Sequence, residues 1–207
     1  MANMNSIGEY IRQQREQAKI SLRQLAERLG AKTVVVHPPF RWQREYTRGF
    51  EEGIAKMSEE TDVIFAVENM FPIRSGASEI SGYAPHWDPT RLDVPNVTLD
   101  LSHTAASASD AIVMANDVGS RLAHIHLADG TGVSSGPVPD EHLVPGRGKQ
   151  PCAELLRGIA ATGYQGMVVA EVNTRHAGSR EARRADLAET LAFARNHLSQ
   201  VAVPPAR

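Results

Sequence analysis

The sequence predicts an α/β fold of about five recognisable parallel strands, preceded by two N-terminal helices. The first observation is a set of five segments rich in Val, Ile, Leu and Ala: TVVVHPPF (33–40), VIFAVENMF (63–71), VTLDLSH (97–103), LAHIHLADG (122–130) and MVVAEVN (167–173). These are nearly continuous apolar runs, the pattern of parallel strands buried on both faces. The second is that helical patterns separate them, over about Tyr46 to Ser58, Ser107 to Ser120, Pro151 to Thr162 and Arg180 to His197. Such alternation implies helices packed on a parallel sheet, with right-handed crossovers.

Taken in order, residues 6–29 read as two helices. Ile7, Tyr10 and Ile11, then Arg15 and Ala18, share one face of the first at helical spacing. Ser21 is suited to cap the second, with Gln24 three residues on completing a capping box. Leu22, Leu25, Ala26 and Leu29 form its apolar stripe, and Gly30 is suited to end it. Pro151 suits the first turn of the third barrel-type helix. Leu187, Leu191 and Ala194 line one face of the last. Two long loops rich in turn residues, 72–96 and 130–150, follow strand C-termini, the side on which α/β folds bind ligands.

Composition narrows the class of function. The 207-residue chain is 42% apolar and 22% charged, ordinary for a globular domain. A formal net charge of −2 gives no basic surplus for nucleic acid or an anionic membrane. The single cysteine, Cys152, excludes an intrachain disulfide and suits a reducing cytoplasm. No run reaches the ~18 apolar residues of a transmembrane helix, and the N-terminus lacks the apolar region of a secretory signal. Walker, dinucleotide-binding and Gly-x-Ser-x-Gly motifs are absent from the sequence.

The chemistry is expected where the strands end. His37, Glu68, Asp100 with His103, His124 with His126, and Glu171 lie at or beside those ends. Converging on one mouth, carboxylates and imidazoles would form a divalent-metal site whose mixed oxygen and nitrogen donors leave the ion open among Mn, Co, Zn and Mg. His124 and His126 are two apart and so share a face; His126, nearer the strand end, is the favoured ligand, with His124 in a packing or supporting role. Arg147, Arg175 and His176 are candidate substrate contacts. Trp42 and Trp87 are candidates to stack on a sugar ring or to pack the core, and Cys152 is expected to be structural.

The ordered set His-Pro-Pro, Val-Glu-Asn, Asp-Leu-Ser-His, His-Leu-Ala-Asp, Asp-Glu-His and Ala-Glu-Val-Asn resembles the xylose-isomerase-like TIM-barrel superfamily. That group includes sugar phosphate isomerase/epimerase-like proteins and the endonuclease IV nucleases. The resemblance covers about Ala31 to His197. It implies a metal held by Glu68, Asp100, His126 and Glu171, with Glu68 and Glu171 as the catalytic acid/base pair of an isomerase or epimerase acting on a sugar or sugar phosphate through an enediolate. It further implies substrate contact or a second metal at His37, His103, Asp140 and His142. The alternative it carries is an endonuclease IV-like phosphodiesterase, against which the lack of a basic surplus counts.

Residues 1–30 resemble the opening of a phage-repressor-type helix-turn-helix regulator, but AKTVVVHPP follows where a recognition helix should stand, so nucleic acid is not an expected partner. The remainder, 31–207, has only five recognisable strands, where a full (β/α)8 barrel typically takes ~250 residues. The expectation is a truncated TIM barrel joined to a helical fragment, with open sheet edges that favour self-association into a homo-oligomer, impaired activity, or a non-enzymatic fusion.

Overall fold

The computed structural model describes residues 7–75, 78–133 and 140–199. The loop stretch 134–139 and the Pro-rich tail 201–207 lie outside them.

The chain opens with helices α1 (Ile7–Gln17) and α2 (Leu22–Leu29). The expected capping box is present. Ser21 accepts the Gln24 N–H, and the Gln24 side chain accepts the Ser21 N–H in return. Removing such a cap costs about 1 kcal/mol. Gly30 ends α2 in the left-handed region, φ 66°, as a C-terminal glycine should.

There follow β1 (Thr33–Val36), α3 (Arg44–Arg48), α4 (Phe50–Glu59) and β2 (Ile64–Glu68). The helical pattern expected over 46–58 is thus two helices broken at Gly49. The loop after β2 carries a small antiparallel hairpin, β3 (Ile73–Ser75) with β4 (Ser78–Ile80), which the sequence did not announce. Then come β5 (Val97–Asp100), α5 (Leu101–Ser107), α6 (Ala111–Val118), β6 (Leu122–Leu127), α7 (Cys152–Ala161), β7 (Met167–Ala170) and α8 (Arg180–Ser199).

Strands β1, β2, β5, β6 and β7 form one parallel sheet in that order, a curled half-barrel with helices outside it. This is the partial TIM barrel that the strand pattern and resemblance implied. Phe65, Val67, Val97, Leu99, Ile125 and Leu127 are buried apolar residues of the sheet, packed under Ile54, Met114, Leu155 and Leu156 from the helices. Ala26 of α2 belongs to the same core, so α2 packs as the helix preceding β1.

Two expectations change. The run VTLDLSH is not strand throughout: it stops at Asp100, and His103 lies in the first turn of α5. Asp100 is the reason, because its carboxylate caps that helix by accepting the His103 N–H at 2.8 Å. Nor are all five strands doubly buried. Strand β5 is buried throughout and β2 apart from Ile64, whereas edge strand β7 leaves Met167 and Val169 exposed.

Candidate metal centre

Parallel pairing brings the polar strand ends together. Asp100 and His126 are register partners across β5 and β6. The N–H of Glu171, one residue beyond β7, bonds the Leu127 carbonyl at 3.1 Å, which continues the ladder past Ala170. Asn69 makes the join on the other side. Its amide donates to the Asp100 carbonyl (3.0 Å) and accepts the Asp100 N–H (2.6 Å), clamping the ends of β2 and β5.

The result is a cluster in which one ligand atom from each of Glu68, Asp100, His126 and Glu171 lies within 4.8 Å of every other. His126 Nδ1 stands 2.5 Å from Glu171 Oε2, 3.1 Å from Glu68 Oε1 and 3.4 Å from Asp100 Oδ2. One ring nitrogen carries at most one proton, which cannot serve three carboxylates at once. Buried Glu68 Oε2 and Asp100 Oδ2 have no aligned hydrogen-bond partner. Glu68 Oε2 does lie 2.8 Å from His37 Nε2, an ion-pair distance without hydrogen-bond alignment. Three carboxylates and one imidazole, with orphaned oxygens aimed inward, fit a divalent cation better than a shared proton.

Electrostatics follow the same logic. Burial opposes ionisation of Glu68, but the hydrogen bond from His126, the His37 ring close to Oε2 and the charge of His103 hold its carboxyl down at about 2. Burial likewise opposes charge on His126, yet Asp100, Glu171 and Glu68 push it up to about 11. Glu171 is lowered chiefly by its hydrogen bond to His126. In effect a proton held at His126 does, incompletely, what a cation would do there.

Beside this cluster lies a second. Asp100, His103 and His142 also present ligand atoms within 4.8 Å of one another. The Asn69 carbonyl, 2.8 Å from His103 Nδ1, can only accept, so that nitrogen carries the proton and Nε2 faces Asp140 Oδ2 at 3.4 Å. His142 sits 3.0 Å from the same oxygen through Nε2, and through Nδ1 it meets the Glu171 carbonyl at 2.8 Å. Burial disfavours charge on both rings, but neighbouring carboxylates raise each to about 9: Asp100 and Asp140 for His103, Asp140 first for His142. The histidines in turn hold Asp140 well below the usual carboxylate range against the pull of burial.

Of the residues expected at the site, His37, Glu68, Asp100, His103, His126, Asp140, His142 and Glu171 are therefore brought together. His124 packs edge-on against His126, with ring centres 5.0 Å apart, in a supporting position. Arg147 is paired with Asp186 (2.9 Å) and Glu189 (2.5 Å) of α8. Trp42 stacks on Phe40, centroids 4.4 Å apart, and remains exposed, while Trp87 packs against the core. Cys152 is buried against the Ala128 carbonyl, as expected of a structural thiol. Sequence reading missed Asn69 and Ser102 as site residues. The Ser102 hydroxyl donates to Asp140 Oδ1 (2.7 Å) and accepts the His142 N–H (2.9 Å). Both lie inside the quoted motifs, but their partners are about 30 to 40 residues away, beyond any local signal.

His142, Glu171, Asn173 and Arg175 line an open cavity of 380 Å³ at this mouth. A larger one, 710 Å³, lies on the outside of the sheet between α6 and α7 and contains none of the cluster. Among the described residues no helix is long and apolar enough to cross a membrane.

A half-barrel of parallel strands with a carboxylate–histidine cluster at its C-terminal mouth is one of a known class of proteins. Residues 2–197 match the family model for the xylose isomerase-like TIM barrel, and the chain belongs to that family. The matched span includes α1 and α2. An uncharacterized protein of Mycobacterium tuberculosis is 47% identical over 192 residues, covering 84% of this chain and 67% of that protein. A fructoselysine 3-epimerase of Escherichia coli is 32% identical over 78 residues, covering 38% of this chain and 26% of the enzyme. Among solved structures, a D-tagatose 3-epimerase-like protein aligns with a TM-score of 0.55 at 22% identity, covering 96% of this chain and 77% of its own.

Proposed function

We propose that the protein is a metal-dependent isomerase or epimerase of sugars or sugar phosphates. The observation that carries this reading is the convergence of Glu68, Asp100, His126 and Glu171 within 4.8 Å. The epimerase names among its relatives support the substrate class.

In this reading those four residues hold a divalent ion, with Mn, Co, Zn and Mg all compatible with the donor set. When bound, such an ion polarises adjacent oxygens of a hydroxy-ketone and makes the intervening C–H more acidic. Glu68 and Glu171 rise from strands separated by β5 and β6. Both carboxylates are lowered and hence ionised at neutral pH. Either can therefore accept the substrate proton, and the enediolate left behind is reprotonated by the same carboxyl or its counterpart. His103, His142 and His37 line the approach as contacts for substrate hydroxyls. Arg175, which lines the cavity, offers a cation to an anionic substituent.

The test is metal analysis joined to turnover. We expect ~1 Mn or Co per chain, and a ketohexose such as D-tagatose to be epimerised. Glu171→Gln should lower kcat by ~10²–10⁴, the usual contribution of a positioned acid/base; an unchanged kcat would remove Glu171 from the mechanism.

A second reading rests on the Asp100–His103–His142 group: an endonuclease IV-like phosphodiesterase, which should carry two or three zinc ions. A protein that takes up no metal would instead support a non-enzymatic role. For α1 and α2 we propose no base-reading function, because β1 follows where a recognition helix would be needed. The edges at β1 and β7 lead us to propose self-association, and the single buried cysteine a cytoplasmic location.

A further inference from the structure

We propose that Asp129 is a positioning residue that fastens the 140–150 loop, so that His142 and Asp140 are held against the Glu171 end of β7. The last step of this proposal rests on the metal-site reading above; the fastening itself does not.

Asp129 stands three residues beyond His126 and is fully buried. A buried carboxylate is costly unless its oxygens are met by donors. Here four backbone N–H groups meet them. Gly130 (2.8 Å) and Gln150 (3.0 Å) donate to Oδ1, and Gly146 (2.8 Å) and Gly148 (3.0 Å) donate to Oδ2. The main chain of Asp129 adds a two-way bridge to Leu143, with both bonds at 2.8 Å. One residue thus makes six hydrogen bonds, five of them to segment 143–150.

The fit leaves no room for a side chain at the loop's closest approach. A Cβ on Gly148 would fall 2.6 Å from Asp129 Cγ and 2.7 Å from the Gly130 nitrogen. Next to the bridged Leu143 is His142, whose backbone has φ 47°, a conformation that non-glycine residues adopt only when their surroundings impose it. Its ring meets Asp140 and the Glu171 carbonyl, and its own carbonyl accepts the Asn173 N–H at 2.7 Å. The chain of contacts therefore runs from Asp129 through Leu143 to His142 and on to the residues around Glu171. None of these contacts uses Asp129 as a ligand, and it touches none of the four cluster residues through its carboxylate.

The test uses the full chain and two variants that attack the hub from opposite sides. Asp129→Asn replaces one acceptor oxygen by a donor facing N–H groups. Gly148→Ala keeps the carboxylate but forces the loop away, and remains informative where Asp129→Asn fails to fold. In the metal-free protein, hydrogen exchange at residues 141–150 should accelerate at least about tenfold in each variant, while Leu99 and Ile125 in the central strands keep their protection. Mn²⁺ binding, followed by calorimetry, should weaken by ~10–100-fold, the usual effect of losing a residue that orients ligands from behind. Combined with His142→Asn, Asp129→Asn should add little further loss, since both act through one path. Unchanged loop protection, loss spread evenly over the core, or additive effects on Mn²⁺ affinity would each overturn the proposal. Should the unmodified chain take up no Mn²⁺, the metal-site reading falls, and the exchange result alone then upholds or overturns the fastening role.

Discussion

The clamp made by Asn69 gives the most direct test of how the site is built. Asn69→Ala removes both hydrogen bonds between its amide and the Asp100 backbone, at 2.6 and 3.0 Å. Both residues are fully buried, so the Asp100 N–H and C=O have no solvent to turn to. Each group left unsatisfied costs about 1–3 kcal/mol. The Asp100 N–H is left without a partner, whereas its carbonyl, as that of the α5 N-cap, keeps the first intrahelical bond and loses one of two; together these give about 3 kcal/mol. For a chain of this size that is a fall in Tm of roughly 6–12 °C. The assay is urea unfolding of the metal-free protein, with Asn69→Asp as a control that keeps one acceptor oxygen and loses the amide donor. Because Asp100 both caps α5 and faces His126, Mn²⁺ affinity should fall along with stability. A loss below about 1 kcal/mol, or full Mn²⁺ affinity in Asn69→Ala, would refute the claim that this clamp aligns the ends of β2 and β5.

Three further outcomes follow. His126 rises from 6.5 to about 11 on folding, so its contribution to metal-free stability is complete below pH 6.5 and lost as the pH rises toward 11. Glu68 is lowered from 4.5 to about 2, so its contribution is complete above pH 4.5 and lost as the pH falls toward 2. In EDTA the Tm should therefore decline between pH 6 and 8.5, a decline that saturating Mn²⁺ removes by holding His126 neutral; a Tm that rises over that range in EDTA contradicts the cluster's charge balance. Burial and the charge of Asp129 push the Cys152 thiol far above its ordinary range, so a thiol reagent at pH 8 should label it in urea and leave it unmodified in the native state. Finally, size-exclusion chromatography at micromolar concentration should detect dimers or larger species through the β1 and β7 edges, whereas a monodisperse monomer with a high, cooperative melting transition argues against edge pairing.

The strands were legible because their apolar runs are long and their polar ends recur in one order. The polar ends singled out His37, Glu68, Asp100, His103, His124, His126 and Glu171 together, and the narrower set Glu68, Asp100, His126 and Glu171 came from the family resemblance. Helix α5 was not legible: all seven of its residues are buried, polar and apolar alike, so it has no solvent-facing side and no helical period to read. Its start was mistaken for more strand. The pairing of Arg147 was not legible because its two partners, Asp186 and Glu189, come from α8, and a turn-borne arginine looks the same in sequence whether it is free or paired. The exposure of β7 was hidden too. Met167 and Val169 have the composition of an interior strand, but burial depends on a neighbour that composition does not reveal.

The left-handed backbone at His142 also bears on how this mouth should be redesigned. Random substitution there would mix two effects, a changed side chain and a backbone penalty, and β-branched replacements would suffer most from the second. A library meant to reshape the mouth under the isomerase or epimerase reading proposed above is therefore better seeded at 142 with Asn and Gly, which accept φ 47°. Greater diversity belongs at Asn173 and Arg175, which line the same cavity without that constraint.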